Sequence, residues 1–140
     1  MNGLHVLVAN ADCFVSPTAV ADAANGRTYS TGTVVVDLPV AMPYVSVLRP
    51  LRSLFGGHGW RSGDQRFDKL YHVQTLRKKD ESATAVLAPV VGLMATRDDW
   101  TFSLLGPRLI CATRDPFSSV PDAQRTLDQV VQIGVALHPP

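Results

Sequence analysis

Between Trp100 and Thr113 two runs, Trp-Thr-Phe-Ser-Leu-Leu and Arg-Leu-Ile-Cys-Ala-Thr, flank the pair Gly106-Pro107. Alternation with a period of two puts Trp100, Phe102 and Leu104 on one strand face and Thr101 and Ser103 on the other. Glycine and proline between two such runs read as a turn. The spacing therefore predicts a β-hairpin, and with it an antiparallel sheet. A sheet with so apolar a face needs a cover. Residues 121–137 supply one, with Leu127, Val130, Val131, Val135 and Leu137 near helical spacing and prolines at 139 and 140 to stop the helix.

The rest of the chain extends this α+β pattern. Leu4–Val8 alternates like a short strand. Ser16-Pro17 resembles an N-cap with proline at the first helical position, giving a helix over 18–24; Asn25-Gly26 equally suits a hairpin turn, and both readings stand for the first 32 residues. The β-branched run Thr33–Leu38 predicts a strand, and Tyr44–Leu48 another, joined by a connection that carries Pro39 and Pro43. Pro50–Phe55 suits a helical turn ended by Gly56-Gly57-His58-Gly59. Residues 65–75 place Phe67, Lys69, Tyr71, Val73 and Thr75 on one face of a strand. Over 83–96 the apolar spacing is helical, but Pro89 interrupts it, so two short helices or a kink are expected.

With 140 residues, 46% of them hydrophobic and 18% charged, the chain suits one domain spanning 1–140. The expected fold is α+β, a mostly antiparallel sheet of five or six strands packed against two main helices, at 80–97 and 121–137. Its core draws on Phe67, Tyr71, Val73, Trp100, Phe102, Leu104, Leu109, Ile110, Leu127 and Val130. A net charge of +1 gives no global attraction to nucleic acid, and the Arg77-Lys78-Lys79 run is too short to change that. The start, Met-Asn-Gly-Leu-His, lacks the basic and apolar regions of a secretory signal, so a cytoplasmic protein is expected, membrane-associated at most through a partner.

Chemistry-bearing residues are scattered. His5, His58, His72 and His138 share no metal-ligand spacing, and Cys13 and Cys111 form no Cys-x-x-Cys pair. No cofactor, metal or catalytic residue is assigned. Ser62, Ser103 and Ser118 lack a Gly-x-Ser-x-Gly setting, and His5, Asp12 and Cys13 cluster only along the sequence. Asp80-Glu81 and Asp98-Asp99 read as capping or solvated carboxylates. The segment 49–61 is the best binding candidate. Arg49, Arg52 and Arg61 lie among leucines, Phe55 and Trp60, with His58 in a glycine hinge. Arginine forks suit phosphate or carboxylate, and an aromatic beside them suits an interface.

One resemblance bears on this. A strand ending Val-Asp-Leu-Pro, a strand like Tyr-Val-Ser-Val-Leu, a glycine-rich segment and the phrase Phe67-Asp68-Lys69-Leu70-Tyr71-His72-Val73 follow one another, with Leu87-Ala88-Pro89 and a closing helix after them. In that order they resemble an uncharacterised bacterial domain, common in actinobacteria and often found in membrane-anchored proteins, with Tyr71 where its Phe-Asp-x-x-Phe-x-Val signature has a second Phe. The resemblance runs over about 33–137 and implies a fold without an assigned chemistry. The expected function is thus a non-catalytic binding or scaffold domain that contacts a protein partner or membrane surface through 49–61, with a homodimer among its possible forms. The alternative is a metabolite-binding protein or enzyme with a pocket near His58, Cys13 or Cys111.

Overall fold

The computed structural model describes residues 5–13, 29–49, 60–77 and 81–137. Along the chain these form β1 (Val6–Cys13), β2 (Tyr29–Leu48), α1 (Gln65–Leu70), β3 (His72–Thr75), α2 (Glu81–Ala85), α3 (Val91–Met94), β4 (Trp100–Thr113) and α4 (Val120–Leu137). The fold is α+β, with an antiparallel sheet of four strands and four helices among the described residues. The helix or turn expected over 16–26 and the turn expected over 50–59 lie outside those residues.

β2 organises the sheet. On one side it pairs with β4 along most of its length; on the other it pairs first with β1, then with β3. Two expectations change here. Residues 33–38 and 44–48 belong to one strand of 20 residues, and 100–113 is one strand of 14 rather than a hairpin. Both prolines of β2 and Pro107 of β4 fall where the β2–β4 register slips, between Asp37 and Met42 and between Met42 and Val45. A residue without an N–H removes no bond from a ladder already interrupted there. Gly106, opposite Met42, has φ 58°, so it supplies a left-handed kink inside the strand instead of a chain reversal. Merging each expected strand pair leaves four strands where five or six were expected.

The third change concerns 65–75. Residues 65–70 are helical, and only 72–75 are extended. Phe67 and Tyr71 satisfy a period of two, but they are also four apart, and Asp64 stands three residues before Phe67. The Asp64 carboxylate accepts from the Phe67 N–H at 3.0 Å, an N-cap that outcompetes the strand reading. Two short helices with Pro89 exposed in the turn between them occur as expected.

The helices cover one sheet face. In register across it lie Val34 and Cys111, Val36 and Leu109, Val45 and Leu104, and Val47 and Phe102, all buried. Above them sit Phe67, Tyr71, Ala83, Leu87, Val90, Met94 and Trp100, with Val130, Ile133 and Leu137 of α4. Of the expected core, Ile110 and Leu127 are only half-buried. On α4 the buried face is Thr126, Val130, Ile133, Gly134 and Leu137, while Val135 is 52% exposed. Thr126 is accommodated on that inner face because its hydroxyl accepts from Arg97 Nη1 at 2.8 Å. Among the described residues no helix is long and apolar enough to cross a membrane.

Candidate functional site

The described candidates gather at one end of β2. Leu48, its last residue, pairs with His72 of β3, and Arg49 follows, exposed. The chain is described again at Trp60, whose ring meets Phe67 edge-on, with centroids 6.2 Å apart and planes at 76°. Trp60 is half-buried and Arg61 exposed. Arg49, Trp60 and Arg61 are therefore brought to the same end of the sheet, beside α1. Arg52 and His58 lie outside the described residues.

Local hydrogen bonding explains why Trp60 is held there. The backbone N–H and hydroxyl of Ser62 donate to Asp68 Oδ1 at 2.8 and 2.9 Å, and the Gly63 N–H donates to Oδ2 at 3.3 Å. Asp68 thus folds the 61–64 turn back on the helix that it belongs to. Phe67 stacks on Tyr71 at 5.2 Å, and the Tyr71 hydroxyl donates to the carbonyls of Arg97 at 2.8 Å and Met94 at 3.2 Å. Burial pushes the Tyr71 phenol well above its ordinary range, opposed in part by Trp100 and by the positive charge of Arg49. The Phe-Asp-x-x-Tyr phrase is structural: two rings in the core, one carboxylate on a turn, one hydroxyl on a helix end.

That helix end is closed by three side chains. Trp100 Nε1 donates to the Met94 carbonyl at 2.8 Å, Arg66 Nε donates to that of Ala95, and Tyr71 joins them. These occupy carbonyls that a helix C-terminus leaves without internal partners.

Sequence reasoning missed the most connected polar residue, Arg97. Its Nε and Nη2 donate to the two oxygens of Asp99 at 2.7 and 2.8 Å, and Nη1 donates to Thr126 Oγ1 at 2.8 Å and Gln129 Oε1 at 2.9 Å. The guanidinium lies 4.7 Å from the Trp100 ring centroid. Asp99 raises the Arg97 pKa, and Arg97 holds the Asp99 carboxyl below its usual range. Asp99, expected as a solvated cap, is instead half of a bidentate pair that ties the start of β4 to α4. With each nitrogen of the guanidinium engaged, this cluster is a rivet and not an anion site. Its signal in the sequence was an arginine two residues before an aspartate at a strand entry, which is too common to stand out.

The remaining candidates do not converge. Cys111 carries a free thiol, fully buried against β2, so the two cysteines are not paired with each other. Burial raises its pKa far above the ordinary thiol range, opposite to what a nucleophile needs. His5 immediately precedes β1 and Asp12 lies near its far end, so seven steps of extended backbone put their Cα atoms ~23 Å apart. Among the described residues no group of three metal-ligating side chains is gathered. Surface depressions are shallow: one of about 360 Å³ lies between β1 and the start of α4, another of about 270 Å³ beside His5, Asp37 and Arg108. Neither is lined by Cys111, Trp60 or Arg49.

Comparison with known proteins gives no match: no family model, no curated protein and no solved structure aligns with the chain. The α+β fold and the residues at the end of β2 therefore carry the functional argument alone.

Proposed function

We propose that this protein is a non-catalytic binding or scaffold domain that uses the 49–61 segment to dock on an anionic face, that of a protein partner or a membrane surface. The supporting observation is the setting of Trp60. It is anchored on Phe67, half-exposed, and accompanied at the same end of the sheet by the exposed Arg49 and Arg61. A guanidinium pairs with carboxylate or phosphate, and an indole with one buried edge offers apolar area at little entropy cost. Arg52 falls within the same stretch and adds to its formal charge, and His58 lies there too.

Co-sedimentation with anionic and with zwitterionic vesicles, run beside a pull-down of soluble partners, tests the reading. At about 1 kcal/mol per arginine near an anionic surface, the Arg49→Ala/Arg61→Ala double variant loses roughly thirty-fold in affinity. Both positions are exposed, so the variant keeps the wild-type melting temperature. Equal binding by wild type and by a variant lacking Arg49, Arg52 and Trp60 would remove the proposal.

A further inference from the structure

The outer edge of β1 is built to receive a strand, and we infer that the strand is β1 of a second copy of this chain, paired antiparallel about a twofold axis at Leu7. The backbone fixes which groups are on offer. The Asp37 N–H donates to the His5 carbonyl at 2.8 Å, and the β1–β2 register runs unbroken from Val6 to Cys13. Bonded and non-bonded pairs alternate in an antiparallel ladder, so Leu7 and Ala9 bond to β2 while the N–H and C=O of Val6, Val8 and Asn10 point the other way. Among the described residues nothing pairs with that edge.

The side chains agree. Leu7, Val35 and Ile110 lie in one row on the sheet face away from the helices, and Leu7 is 62% exposed at the end of that row. A twofold axis at Leu7 sets it against its own copy, in the non-hydrogen-bonded geometry where side chains come closest. The apolar row then runs through both sheets, and Val6, itself 43% exposed, faces Val8 of the second copy. No charge meets a like charge.

The edge on the opposite side of the sheet, that of β4, is less suited to the same pairing. β4 is kinked at Gly106 and interrupted by Pro107, both devices that keep a sheet edge from pairing. β1 carries no proline, bulge or lysine. Pairing about a twofold axis uses the same β1 edge of both copies, so it ends at a dimer and does not grow into a fibre through that edge. Pairing over so few residues makes a small interface, so the dimer is reversible and concentration-dependent.

Sedimentation velocity of the full chain over a concentration series tests this with two variants. Val8→Pro removes an N–H that faces outward and so leaves the β1–β2 ladder intact; Leu7→Lys sets two like charges on the axis at an exposed position. Wild type is expected to shift from monomer to dimer with concentration, and both variants to stay monomeric with unchanged far-ultraviolet circular dichroism. Should Val8→Pro unfold, Leu7→Lys decides alone. A wild type that is monomeric throughout, or folded variants that dimerise as wild type does, would overturn the inference.

Discussion

Gly32 shows how tightly single positions are fixed. A Cβ there would lie 2.6 Å from Thr113 Oγ1 and 2.7 Å from the Phe117 ring, while its N–H donates to Thr113 Oγ1 at 3.0 Å. The Asn10 side chain holds Phe117 in place, accepting from its N–H at 2.7 Å and donating to its carbonyl at 3.2 Å. Gly32→Ala is therefore expected to cost roughly 1–3 kcal/mol in urea unfolding, and less when Phe117 is also alanine. Titration gives a second expectation. Cys111 and Tyr71 both have folded-state pKa values raised by burial, so their contribution is complete below the ordinary thiol range and is lost as pH rises past it. The unfolded chain releases protons that the fold retains, and the urea midpoint should fall between neutral pH and about 10. Cys111→Ala should flatten that fall; an identical slope would contradict the burial argument. The sequence showed Phe67, Tyr71, Trp100 and Phe102 as core from their alternation and size. It could not show Gly32, because nothing local says that a ring eighty-five positions later will lie over it.

At the element scale, proline placement and helix capping matter most. Because Pro43 occupies a register slip, Pro43→Ala should change stability by at most about 1 kcal/mol, the entropy returned to the unfolded chain. Proline placed at Val34, in the regular part of the ladder, should instead prevent folding. For α1, Asp64→Ala removes the N-cap and is expected to cost roughly 0.5–2 kcal/mol by chemical denaturation. If it costs nothing, the cap is not what makes 65–70 helical. These same features mark where the sequence misleads. Gly106-Pro107 and Pro39–Pro43 look like turns because local chemistry rewards positive φ and a missing N–H in turns and bulges alike. Only the partner strand distinguishes the two, and Gly106 stands 64 positions after its partner Met42. The closing helix and the break at Pro89 were legible, since helix periodicity and a proline clash are both local.

For the whole molecule, β2 and β4 form a spine, helices cover one of its faces, and polar side chains such as Arg97, Asp99, Asp68 and Asn10 hold elements together. Against that background the exposed Arg49 and Arg61 beside a half-buried Trp60 stand out as groups without a structural task of this kind, although the segment that carries them had to be proposed from composition and not from pattern. The two tryptophans make the idea directly measurable, because Trp100 is buried and Trp60 is not. Tryptophan emission can be followed while the protein is titrated with phosphatidylglycerol vesicles, and with poly-glutamate as an acidic stand-in for a protein partner. A saturable shift with one of these anionic targets, lost in Arg49→Ala/Arg61→Ala, is the expected result. Emission that stays constant with both, or shifts equally in the double variant, would contradict the account.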